Sequence, residues 1–236
     1  MHKDAGGEKV IRIAPSILAA NILELGDEVY RVGAGGADLM HCDIMDGSFV
    51  PTISFGYELV SAVKGHTHIP LDIHLMVVDP DAQVDLFARL NPEIITFHLE
   101  TVPNPRSLID KINNLGIRAG ISIKPDTAVE PVLELLPDLG LVLVMTVEPG
   151  AGGQSFMPEM LPKVAALSAA IREGGDDVML QVDGGINTET ITAAARAGAN
   201  TFVAGTAIFR HVDGPAAAIS ELREIALSLD IDDLAT

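Results

Sequence analysis

Leu141-Val142-Leu143-Val144-Met145-Thr146 is followed by the glycine-rich Pro149-Gly150-Ala151-Gly152-Gly153 and then by a segment of helical periodicity from Pro158 to Arg172. A continuous apolar run this short, closed by turn residues, reads as a strand buried on both faces, the kind found in parallel sheets. The same strand, loop and amphipathic segment recur along the whole chain. Further strands are expected at Ile11 to Ser16, Ala37 to Asp43, Leu71 to Met76, Ile94 to His98, Ile117 to Ile123, Val178 to Asp183 and Thr201 to Ala204. Between them lie helical patterns at Asn21 to Val32, Ala82 to Leu90, Pro105 to Leu115, Thr188 to Ala197 and Gly214 to Leu229. Asn21 with Glu24, and Asn187 before Thr188, carry helix-start chemistry. Eight βα units within 236 residues predict an α/β protein whose parallel sheet closes into a (β/α)8 barrel.

The expected organisation is a single domain over residues 1–236, with a short polar extension at 1–9 and a loose acidic tail at 230–236. No apolar run approaches the roughly 18 residues of a spanning helix. Met1 to Lys9 lacks the apolar core of a secretory signal, so the expected location is cytoplasmic. One cysteine, Cys42, leaves no internal disulfide and suits a reducing compartment. A formal charge of -18 argues against nucleic acid or an anionic membrane as partner. With only 15 basic side chains, none of them clustered, a phosphorylated substrate would have to be held by backbone amides.

In such a barrel, polar residues at the carboxyl ends of strands line the reaction site. The second strand ends His41-Cys42-Asp43, the third carries His74 beside Met76, and the seventh ends with Asp183. His41 and Asp43 are two apart and share a strand face, whereas Cys42 points to the opposite face and packs outside the lumen. Taken singly, a strand-end aspartate commonly caps a helix and a lone histidine is commonly a satisfied core residue. Together, two imidazoles and two carboxylates from three strands form a cage for one divalent ion such as zinc, iron, manganese or cobalt. Glycines follow three consecutive strands: Gly150, Gly152 and Gly153, then Gly184-Gly185, then Gly205-Thr206. Backbone N–H groups there can approach a phosphate closely.

A metal beside a phosphate pocket suits enolisation of a ketose phosphate. The ion would stabilise an enediolate while one carboxylate removes the carbon-bound proton and a second, on the other face, returns one. Asp43 and Asp183, on distant strands, can take those positions. Lys124, at the end of the fifth strand, offers Schiff-base chemistry as a rival. No nucleotide-binding glycine fingerprint, phosphate loop or serine elbow is present.

The sequence resembles the ribulose-phosphate 3-epimerase family over nearly its whole length. Segments that carry the resemblance are Ala14 to Leu18, His41 to Pro51, Asp72 to Val77, Met145 to Phe156, Val182 to Ile186 and Val203 to Phe209. The resemblance implies a TIM barrel of the ribulose-phosphate binding type that converts D-ribulose 5-phosphate to D-xylulose 5-phosphate by epimerisation at C3. It implies His41, Asp43, His74 and Asp183 as metal ligands, with Asp43 as proton acceptor and Asp183 as proton donor. Ser16, His74, Asp183, the methionines Met45, Met76 and Met145, the loop Gly150-Ala151-Gly152-Gly153, Gly184-Gly185 and Gly205-Thr206 would contact substrate or phosphate. A homo-oligomer is also implied. Departures from the family pattern are Ala151 for an aromatic at the tip of the covering loop, Thr52 and Lys124 for asparagines, and Thr206 for serine. They bear on substrate identity and leave open D-allulose 6-phosphate, a tetrulose phosphate, or a barrel that binds a sugar phosphate without turnover. Gly185, where the allulose branch carries serine, favours the pentulose.

Overall fold

The computed structural model describes residues 10–228. The polar extension at 1–9, the acidic tail at 230–236 and Leu229 lie outside the described residues. Eight strands form one parallel sheet: β1 Arg12–Pro15, β2 Met40–Met45, β3 Leu71–Met76, β4 Ile94–His98, β5 Arg118–Ile123, β6 Leu141–Met145, β7 Met179–Asp183 and β8 Thr201–Ala204. Consecutive strands pair from β2 through β8, and β8 returns to pair with β1. The seam between β1 and β2 is joined by a parallel bridge from Ser16 to His41 and by Asp38, whose N–H donates to the Ile13 carbonyl at 3.0 Å while its carboxylate accepts from Ile13 N–H at 2.8 Å. A (β/α)8 barrel results.

The helices are α1 Leu25–Ala34, α2 Tyr57–His66, α3 Pro80–Phe87, α4 Pro105–Asn114, α5 Glu130–Leu133, α6 Leu161–Gly174, α7 Ile191–Arg196, α8 Thr206–Phe209 and α9 Pro215–Leu227. None among the described residues is long and apolar enough to cross a membrane. Alternation along the strands sorts the side chains. On β6, Val142 and Val144 join the layer between barrel and helices, while Leu141, Leu143 and Met145 fill the lumen. On β2, Met40, Cys42 and Ile44 belong to that outer layer, as expected for the thiol, and burial raises the Cys42 pKa well above the usual thiol value.

Several boundaries differ from the expected ones for identifiable reasons. β2 starts at Met40 and runs to Met45, because Ala37 N–H is bound back to Val32 and Asp38 closes the barrel seam, whereas Ile44 and Met45 find partners in Leu75 and Met76. Asn21 does cap a helix start through Leu23 N–H, but the first turn is a 3₁₀ turn, Ile22–Glu24, and α1 begins at Leu25. Asn187 accepts from both Glu189 and Thr190 N–H, a tight turn that delays α7 to Ile191. α3 starts two residues earlier than its periodicity suggests, capped by Asp79 with Pro80 in its first turn.

Candidate functional site

The carboxyl ends of β2, β3 and β7 bring four side chains together at the mouth of the lumen. One ligand atom from each of His41, Asp43, His74 and Asp183 lies within 4.8 Å of the others. His41 Nε2 and His74 Nδ1 each stand 3.2 Å from Asp43 Oδ1, and 3.8 and 3.9 Å from Asp183 Oδ2. Atoms spaced this way fit around an ion at the ~2.0–2.2 Å distances typical of nitrogen and oxygen ligands, and the mixed donor set suits a divalent transition metal. His41 and His74 are fully buried, so strand packing fixes both rings.

The other carboxylate oxygen, Asp43 Oδ2, accepts from Ser16 Oγ at 2.6 Å across the barrel seam. Burial opposes ionisation of Asp43, but His41 and His74 outweigh it and hold the carboxyl well below its usual range. Asp183 moves the other way. Burial, then the charge of Asp43, push it up to about 6. His41 is raised well above the ordinary imidazole value: burial disfavours its charge, but Asp43 and Asp72 prevail. Two neighbouring carboxylates thus divide the proton-holding between them.

A cavity of about 840 Å³ opens over this cluster. It is lined by Ser16, Asp43, Met45, Met76, Met145, Gly150, Ala151, Gly152, Gly153, Asp183, Gly184, Gly185, Gly205 and Thr206. His41 and His74 stand behind that surface. Among the described residues no lysine or arginine lines the cavity, so an anion there would meet mainly backbone N–H groups. Met45 and Met76 pack with Val50, and Leu18 and Phe49 lie against them, giving one wall an apolar face. The glycine turn after β7 is sterically required. Gly184 has φ +123°, and a Cβ there would lie 2.5 Å from Val147 Cγ2; Gly185 has φ +67° and its Cβ would run into the backbone of Phe156. That close approach seats the loop after β6 against the loop after β7, aided by Thr146 Oγ, which donates to the Gly184 carbonyl at 2.7 Å.

Comparison with known proteins agrees with this geometry. The family model described as the ribulose-phosphate 3 epimerase family matches residues 12–209. The chain belongs to the ribulose-phosphate 3-epimerase family. Among its relatives, the ribulose-phosphate 3-epimerase of Mycobacterium tuberculosis (strain ATCC 25618 / H37Rv) is 45% identical over 214 residues, 91% of this chain and 92% of the relative. That of Bacillus subtilis (strain 168) is 43% identical over 215 residues, 91% and 99% of the two chains. Among solved structures, KGPDC from Streptococcus mutans superposes with a TM-score of 0.69 at 14% identity, covering 92% of this chain and 97% of that one, a likeness of fold alone.

Around this cluster the structure adds residues that strand-end reading passes over. Asp72 accepts from His41 Nδ1 at 2.7 Å and from Gln181 Nε2 at 2.7 Å. His98 ends β4 and places Nε2 3.0 Å from His74 Nε2, while its Nδ1 faces Glu100 Oε2 at 3.2 Å. Burial lowers His98 to about 4 despite Glu100, and Glu100, although desolvated, falls to about 2 through bonds from His98, Lys124 N–H and Thr127. Asp72 and His98 share the inward face with His74, the signal that could have found them. Lys124 does not reach the cluster: its Nζ lies over the Phe49 ring at 5.4 Å from the centroid.

Proposed function

We propose that this chain epimerises D-ribulose 5-phosphate at C3 to D-xylulose 5-phosphate, with Asp43 and Asp183 as the two proton-transfer groups and one divalent metal ion bound by His41, Asp43, His74 and Asp183. The observation that carries the reading is the pair of carboxylates facing one cavity from β2 and β7 with opposite proton affinities, one held ionised and one raised to about 6. A bound divalent ion would supply Lewis-acid polarisation of the substrate carbonyl and ease the build-up of charge on its oxygens.

The chain's own residues supply the rest. Asp43, ionised and steadied by Ser16, accepts the C3 proton from one face, and Asp183, able to hold a proton near neutrality, returns one to the other. In the reverse direction the roles exchange. Met45, Met76 and Met145 keep water away from the reacting carbon with polarisable, uncharged surface. Backbone amides at Gly184-Gly185 and Gly205-Thr206 hold the phosphate, which accounts for phosphate recognition by a chain of net charge -18 with no basic residue among the described residues that line the cavity.

Ribulose 5-phosphate incubated in deuterated water with metal-loaded protein, followed by NMR, tests this. Deuterium should appear at C3 together with xylulose 5-phosphate, and Asp43→Asn or Asp183→Asn should slow epimerisation by about 10²–10⁴-fold. Equal or faster turnover of a hexulose or tetrulose phosphate would move the assignment to that substrate. Absence of C3 exchange in the loaded parent would reduce the protein to a binding barrel.

A further inference from the structure

The chain of polar groups behind His74 extends past the cluster and ends on a loop. Glu100 lies in the 3₁₀ turn Leu99–Thr101 after β4, and its two oxygens are committed to different partners. Oε1 accepts from Lys124 N–H at 2.8 Å and from the Thr127 hydroxyl, which ties the turn to the loop after β5. Oε2 is left for His98 Nδ1 at 3.2 Å. His98 is buried, and its ring stacks on His74 with centroids 5.0 Å apart and packs against Phe49 at 4.6 Å, so neither ring is free to turn.

The proton positions follow from donor and acceptor rules. An ionised carboxylate only accepts, so His98 Nδ1 carries hydrogen towards Glu100. The Nε2 of a neutral His98 then has only a lone pair to offer. His74 Nε2, 3.0 Å away, must donate to it, and the remaining lone pair of His74 sits on Nδ1, the atom that faces Asp43 and Asp183. We propose that Glu100 and His98 are positioning residues that act through His74, a carboxylate–imidazole–imidazole relay that fixes which His74 nitrogen is offered to the metal. This inference rests on the metal reading above and names two residues which that reading does not use. The converse arrangement, with His98 donating from Nε2, would put a hydrogen on His74 Nδ1 and remove a ligand.

Glu100→Gln keeps the shape and reverses the chemistry. One carboxamide group cannot accept both from the loop after β5 and from His98, and an amide N–H facing Nδ1 favours the converse arrangement. His98→Phe keeps the ring against Phe49 and removes the acceptor altogether. The experiment is zinc binding to the full chain by competition with a chromophoric chelator, alongside ¹⁵N spectra of histidine-labelled, zinc-loaded protein and circular dichroism to show that both variants fold. The loaded parent should carry hydrogen on His98 Nδ1 and His74 Nε2, and each variant should bind zinc about 10- to 100-fold more weakly. A His98 hydrogen on Nε2 in the loaded parent, or a loss below fivefold in either folded variant, overturns the relay. The parent spectra stand even if a variant does not fold. A parent that binds no zinc overturns the metal reading and the relay with it, an outcome distinct from failure of the relay alone.

Discussion

His41 and His74 lie 5.4 Å apart, ring to ring, yet one is braced from inside the barrel and the other from its rim. Behind His41 stands Asp72, a fully buried carboxylate on the next strand, itself held by Gln181 from β7. Every member of that brace is a strand residue, fixed by the same ladder that fixes the sheet. Behind His74 stands His98, and behind His98 stands Glu100 on a turn whose position depends on the loop after β5. The first brace is as rigid as the barrel, while the second is as rigid as two loops. Barrel folds place function on loops over a stiff frame. Here that division runs between two imidazoles of one cluster.

The comparison predicts its largest effect at Asp72. Both bonds fall on one oxygen, Asp72 Oδ2, so Asp72→Asn can keep them in place, but it removes the negative charge that faces His41 Nδ1 and buries an N–H₂ donor where the unpartnered Oδ1 stands. The affinity for zinc should fall by about 100-fold, near the upper end for supporting residues of metal sites, and by more than in Glu100→Gln, because nothing in a closed strand layer can shift to compensate. Chelator competition on both variants measures the pair. A smaller loss in Asp72→Asn than in Glu100→Gln would invert the comparison and make the rim the stiffer side.

The same division decides what the sequence made legible. The four cluster residues could be read because strand parity and strand ends are local properties: Asp43, His74 and Asp183 lie within two residues of a strand's carboxyl end, and His41 shares the face of Asp43 two residues before it. Asp72 and His98 satisfied the same parity rule, but their partners sit on neighbouring strands, and only register places Asp72 opposite His41. Glu100 was not legible at all, because it lies past the strand in a 3₁₀ turn where parity no longer applies. Helix starts shifted for a related reason. Asn21 and Asn187 cap as expected, but their bonds to the next two or three N–H groups make a tight turn first and release the helix later.

A second effect, of a few degrees in melting temperature, is carried by pH in the metal-free protein, where the two braces respond with opposite sign. His41 has its pKa raised in the folded state by Asp43 and Asp72 against the opposing effect of burial. Its contribution is therefore fully present below the ordinary imidazole value of 6.5 and is lost as the pH rises through the raised value. His98, lowered to about 4 chiefly by burial, contributes fully above 6.5, and that contribution is lost as the pH falls through about 4. Thermal melts in excess chelator from pH 7.5 to 4 should show a fall at the acid end that is shallower in His98→Phe than in the parent. Parallel curves would assign the acid sensitivity elsewhere.

The smallest effect is expected at Lys124, which follows β5. The link from this residue to the rim brace is its backbone N–H, bonded to Glu100, and any residue other than proline supplies that group. Its ammonium only rests over Phe49, a cation–π contact worth about 0.5–1 kcal/mol when exposed. Lys124→Asn should therefore leave zinc affinity within about threefold of the parent. It should lower the melting temperature by no more than about 2–4 °C, the shift that 1 kcal/mol produces at this size. If instead the substitution weakens zinc binding as much as Glu100→Gln does, the lysine side chain steadies His98 through Phe49, and the rim brace reaches one residue further than the hydrogen bonds trace it.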